Sequence, residues 1–180
     1  MKFKISLLFT GLLTVSAGIH ALELSSPDIQ EGEHLSSSLF FNGFGCSGKN
    51  ISPRLSWRDI PAETKSFAVT VYDPDAPTES GWWHWSVINI PAGVHTLKSG
   101  QSIAAVGGKE IRNDFGQTAF GGACPPPGHG MHRYQFTVWA LPYKKMPVPD
   151  SASAALVGYM LNQDAIAQSR ITATAMRKQK

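Results

Sequence analysis

Three stretches of this 180-residue chain gather side chains able to hold or move a proton. Asp73-Pro74-Asp75-Ala76-Pro77 puts two carboxylates at a turn whose prolines fix φ and remove backbone donors. Trp82-Trp83-His84-Trp85 sets one imidazole among three indoles, where its ring nitrogens have few partners. The third stretch runs from Gly121-Gly122 through Cys124-Pro125-Pro126-Pro127-Gly128-His129-Gly130 to His132-Arg133-Tyr134, and its glycines and prolines make it both bent and stiff. His132 and Tyr134 are two apart at the start of a strand pattern, so they share a face. The chemistry these groups have in common is anion recognition. Imidazole N–H groups and loop amides donate to the anion, while a carboxylate orients an imidazole by accepting from its other nitrogen.

Each stretch also has a plain structural reading. Asp before Pro is ordinary turn chemistry, and a single strand histidine is more often a bonded core residue than a ligand. An enzyme would use Asp73 with His84 or His132 for acid–base work, but no Ser sits in a nucleophile-elbow motif. A zinc site would need His84, His129 and His132 together. His129, set between two glycines, reads instead as an exposed rim residue, so neither a metal nor a cofactor is expected.

The elements that must position these residues are mostly strands. Seventeen Gly, 12 Pro and 10% aromatic residues fit many short strands joined by turns, and 42% hydrophobic residues suffice for one core. Strong period-two patterns cover Ser66 to Tyr72, Trp82 to Ile90 and Arg133 to Leu141. The second of these is polar on neither face and is expected near the centre of its sheet. Weaker strands are expected at Leu39 to Phe44, Arg54 to Trp57 and Ile103 to Val106. One helix, capped by Asp150-Ser151, is predicted from Ala152 to about Gln168, with Leu156, Tyr159, Met160 and Ile166 at helical spacing. A last strand follows over Arg170 to Met176, and Arg177 to Lys180 reads as a solvated tail.

The start of the chain has the parts of a secretory leader. Lys2 and Lys4 precede an apolar run from Ile5 to Val15, and small residues end at Ala21. The run is too short to span a bilayer, and no other segment could do so. The expected division is therefore a signal peptide over residues 1–21 and one domain over 22–180, placed in a bacterial periplasm, with release outside the cell as the alternative. Removing the leader lowers the count of Lys and Arg from 16 to 14 against 13 acids, which argues against nucleic acid as a partner. In an oxidising compartment two thiols pair, so Cys46 and Cys124 are expected to form a disulfide pinning the third stretch.

Asn50-Ile51-Ser52-Pro53, Asp73-Pro74-Asp75-Ala76-Pro77, Trp83-His84-Trp85, Asn113-Asp114-Phe115-Gly116 and the run from Gly121 to Tyr134 together resemble the phosphatidylethanolamine-binding protein family, and within it the bacterial Raf-kinase-inhibitor-like subfamily. The resemblance covers Leu22 to Met176. It implies a mainly β fold, an antiparallel β-sandwich, to which the residue pattern adds the C-terminal helix. It also implies a small pocket for phosphate-like anions, in which Asp73 is the carboxylate and His84 and His132 are the imidazoles. Tyr134 would line the wall, Gly122 would present backbone, and Asp75 would pair with Arg133. The function so implied is an exported, non-enzymatic binding protein for a small anionic or phosphorylated ligand. The alternative is an interaction protein that grips and inhibits a partner through the same pocket; the leader excludes cytoplasmic kinases as that partner.

Overall fold

The computed structural model describes residues 21–179, so the expected leader, apart from Ala21, lies outside the described residues. The strands are β1 (Glu23–Ser25), β2 (Asn42–Gly43), β3 (Cys46–Ser47), β4 (Leu55–Arg58), β5 (Ser66–Asp73), β6 (Trp82–Pro91), β7 (Thr96–Leu97), β8 (Lys109–Glu110), β9 (His132–Leu141) and β10 (Ala167–Ala175), with one helix, α1 (Ala154–Asp164). Five of them pair antiparallel in the order β10-β9-β5-β6-β8, and β1-β4-β7 form a second antiparallel sheet.

The alternation in β5 and β9 decides the layering. Phe67, Val69 and Val71 with Tyr134, Phe136 and Val138 pack against Leu24, Leu55 and Trp57 of the smaller sheet. Ala68, Trp139 and Leu141 point the other way, onto Val157 and Leu161 of α1. The architecture is thus an antiparallel sandwich with a helix on the outer face of its larger sheet. Both faces of β5 are covered, and each large apolar side chain buried there contributes about 1.5–3 kcal/mol.

β5, rather than β6, is the central strand. β6 pairs with β8 only at Val87 and Ile88, and the rest of that edge is met by the segment after β8, where Ile111, Asp114 and Gly121 donate their N–H groups to Ser86, Trp83 and His84. Two bulges interrupt the β5–β6 pairing. Asn89, at φ 60°, belongs to the first, which turns Ile90 to the side of Val87, whereas strict alternation puts Ile90 with Ile88. At the second, Val71 faces Trp85 and Tyr72 faces Trp83, so His84 is the extra residue.

Other boundaries differ for local reasons. The stretch expected as a strand at Ile103 to Val106 is a 3-10 turn, Ala104–Val106, closed by Gly107 at φ 82°. Leu39 to Phe44 likewise divides into a 3-10 turn, Ser37–Leu39, and β2. Helix α1 is shorter than expected at both ends. Its cap is Ser153, whose hydroxyl accepts from the Leu156 N–H at 3.1 Å, and residues from Ala167 onward are claimed by pairing with β9. Its buried face is Ala154, Val157, Gly158 and Leu161, while Leu156 and Tyr159 are exposed.

Candidate functional site

Asp73 ends β5, and both of its oxygens are committed. Oδ1 accepts from the Asp75 N–H at 2.8 Å and Oδ2 from Nδ1 of His132 at 2.7 Å. Asp73 is 2% exposed and His132 1%, so this is a buried pair linking the end of β5 to the start of β9. Outside it, Asp75 receives the backbone N–H, Nε and Nη2 of Arg133. Those bonds hold the Asp75 carboxyl below its ordinary range, chiefly through the guanidinium hydrogen bond.

The bulge brings His84 edge-on to Tyr134, with ring centroids 5.1 Å apart, and to Phe115 at 5.4 Å. Nδ1 of His84 donates to the carbonyls of Gly121 at 2.9 Å and Gly122 at 3.1 Å. Two carbonyl acceptors require the proton on Nδ1, so the neutral ring carries its lone pair on Nε2. Burial pushes the His84 pKa down to about 4, against a smaller opposing effect of the two carbonyls. At neutral pH His84 is therefore an acceptor, where the sequence suggested a donor.

Gly122 stands behind this ring and is absent from the cavity wall. Its N–H, expected to face a ligand, donates to Oδ1 of Asn50 at 2.7 Å. A Cβ there would collide with the backbone of Leu39 to Phe41, so only glycine permits the approach. Asn50 also donates to the Phe120 carbonyl, and Asn113 donates to those of Ala119 and His84. These two asparagines hold the 113–122 segment against β6. Their motifs are visible in the sequence, but their bracing role is not.

Asp73, His84, His132 and Tyr134 meet at one cavity of about 180 Å³. The other walls are largely apolar: Phe44, Pro77, Trp82, Phe115, Pro125 and Pro126. The Tyr134 side chain is 1% exposed, and its hydroxyl has no hydrogen-bond partner. Burial, then the negative charge of Asp73, raises its pKa well above the ordinary tyrosine value. Among the described residues, no group of three or more His, Cys, Asp or Glu is arranged to hold a metal ion.

Cys46 and Cys124 are joined, and Cys124 lines the cavity. The tail expected to be solvated begins otherwise. Arg177 Nη1 lies 3.0 Å from Sγ of Cys46 and 3.4 Å from Sγ of Cys124, and Nη2 donates to the Gly45 carbonyl at 2.8 Å. His129 is exposed, as the sequence suggested, yet its Nδ1 lies 2.7 Å from Nε2 of His132. That contact was illegible, because nothing in a glycine-flanked loop fixes where its side chain points.

The sequence profile of the phosphatidylethanolamine-binding protein family matches residues 25–176. The chain belongs to this family. Escherichia coli K12 YbcL, a UPF0098 protein, is 52% identical over 178 residues, covering 96% of this chain and 97% of its own. YbhB of the same strain is 47% identical over 156 residues, 84% of this chain and 98% of its own. The crystal structure of E. coli YbcL, described as a new member of the mammalian PEBP family, matches 87% of this chain and 99% of its own with a TM-score of 0.83. The phosphatidylethanolamine-binding protein fold is of a ligand-binding and regulatory kind, and no helix among the described residues is long and apolar enough to cross a membrane.

Proposed function

We propose that this protein is exported to the bacterial periplasm and binds a small ligand through a phosphate or carboxylate group in the Asp73, His84, His132 and Tyr134 cavity. The observation that carries this reading is the Tyr134 hydroxyl, a buried donor without a partner beside the Asp73–His132 pair. An unmade hydrogen bond costs about 1–3 kcal/mol, which a ligand oxygen recovers. His132 adds a second donor when protonated, held in place by Asp73, while Gly122 contributes through His84. The apolar walls suit a ligand whose anionic group is joined to an uncharged body. Binding without catalysis is favoured by the state of the wall: Cys124 is in a disulfide, and the Thr78 hydroxyl donates to the Gly81 carbonyl.

A second reading, a protein partner held through the same pocket, is favoured by its wall residue Phe44, which is 73% exposed. Calorimetric titration of the mature protein with inorganic phosphate tests the first reading; absence of binding would overturn it. A partner captured from periplasm and released by phosphate would favour the second. Fractionation with a leader-deleted control tests export.

A further inference from the structure

Nε2 of His132 is the ring nitrogen left to meet an anion, since Nδ1 is committed to Asp73. His129 already occupies it at 2.7 Å, with the two ring centroids 5.0 Å apart and the planes at 62°. A nitrogen with one in-plane bonding direction cannot serve His129 and a ligand oxygen together.

With both rings neutral, the order of protons along this chain is fixed. The Asp73 carboxylate accepts from Nδ1–H of His132, so Nε2 of His132 holds a lone pair and accepts from Nδ1–H of His129. His84 likewise turns a lone pair outward from its carbonyl-bound ring. The free site therefore has His129 saturating the one imidazole nitrogen that could be turned into an anion donor.

His129 is placed to leave. It is exposed, and it lies between Gly128 at φ 77° and Gly130 at φ 96°, two left-handed positions that let the backbone rotate around the residue. The loop is anchored on its N-terminal side, where Gly128 N–H donates to the Arg177 carbonyl at 2.9 Å and His129 N–H to that of Pro126 at 3.2 Å, so the motion left to His129 is rotation of its side chain and of the chain beyond it at Gly130. A Cβ at Gly130 would meet nothing within 4 Å, so the far side of the hinge is open.

We propose that His129 is a hinged competitor for the ligand's place on His132: the anion binds only when the His129 imidazole swings away, and His129 thereby sets affinity and rate at this site. The inference rests on the anion-binding reading of the cavity. It assigns to an exposed loop residue the task of keeping the buried His132 lone pair bonded while no ligand is there, which removes the penalty of an idle polar group at the cost of weaker binding.

The test is calorimetry and stopped-flow binding of inorganic phosphate to the mature protein, to His129→Ala and to Tyr134→Phe. The expected result is phosphate binding about two- to tenfold tighter in His129→Ala, carried by faster association, with binding weakened in Tyr134→Phe. A misfolded variant cannot gain affinity, so the sign of the change separates a competitor from a structural residue. If His129→Ala binds phosphate equally or more weakly while Tyr134→Phe still loses affinity, the competitor role is overturned and the anion reading stands. If neither the wild type nor His129→Ala binds phosphate, both fall together.

Discussion

Asp75 and Arg133 meet at three points, from the backbone N–H at 2.8 Å, Nε at 2.9 Å and Nη2 at 2.7 Å, so the turn after β5 is locked to the second residue of β9. The pair shields Asp73, which bonds Asp75 on one side and His132 on the other. Because Arg133 is well exposed, its side chain contributes little to global stability.

Arg133→Ala is accordingly expected to lower the melting temperature less than Asp73→Ala, which leaves His132 buried without its partner. The sign with pH follows from the lowered Asp75 carboxyl. Its contribution is present above the ordinary carboxylate range and disappears as pH falls through the lowered value. Urea denaturation should show a wild-type advantage over Arg133→Ala at about pH 6 that shrinks at about pH 2.5.

His84 gives a dependence of opposite chemical origin. Its folded pKa of about 4 lies below the 6.5 of a free imidazole, so between these values the unfolded chain binds a proton that the folded chain refuses. The stabilisation is complete above about pH 6.5 and is lost as pH falls toward 4, amounting to about 3 kcal/mol. Denaturation midpoints measured across that window should fall with acid in the wild type, and the slope should flatten in His84→Asn. A slope unchanged by the substitution would place the titrating group elsewhere.

Tyr134→Phe removes a buried hydroxyl that makes no well-formed hydrogen bond to another protein group. Its melting temperature should stay level or rise slightly, while phosphate affinity falls about two- to tenfold. His132→Ala is a less clean probe, since it also strands the Asp73 carboxylate, and its affinity loss should come with a loss of about 3–5 kcal/mol in stability. Melting curves run beside phosphate titrations distinguish the two variants.

Reduction of Cys46–Cys124 frees a sequence separation of 78 residues in the unfolded chain. Loop entropy sets the expected loss at roughly 4 kcal/mol. Thiol titration of denatured, unreduced protein should find neither cysteine reactive, and mild reduction should weaken phosphate binding because Cys124 and the neighbouring Phe44 and Pro125 are cavity walls.

What could be read in the sequence was whatever depended on alternation and residue type. The long strands, the packing faces of β5 and β9, the cysteine pair and the stretches supplying Asp73, His84, His132 and Tyr134 all announce themselves locally. What could not be read depended on one extra residue or on a distant partner. The bulge at His84 breaks a period-two rule that the indole-rich sequence obeys on paper, and it is what turns that ring toward Tyr134. Gly122 is expected from the family resemblance to present backbone to a ligand, but its N–H donates to Asn50 and its backbone lies against Leu39–Phe41. The tail looked solvated because nothing near Arg177 in sequence shows that β10 ends beside the disulfide. Hydrophobic spacing puts Leu156 and Tyr159 on the packing face of α1, but the buried face is that of Ala154, Val157, Gly158 and Leu161, and Gly158 lies so close to the Trp83 ring that a Cβ would collide with it.

The order β10-β9-β5-β6 has a consequence for how the binding function is acquired as the chain folds. A β5–β6 hairpin is local and carries Asp73 and His84, but His132 and Tyr134 arrive only when β9 closes a loop of dozens of residues onto the other edge of β5. Closing such a loop costs entropy before any contact rewards it, so this step belongs late in folding. Half-folded chains therefore hold a carboxylate and one imidazole without the donors to use them. Ligand capture becomes a property of the finished molecule alone, and phosphate binding can serve as a kinetic probe of β9 docking during refolding.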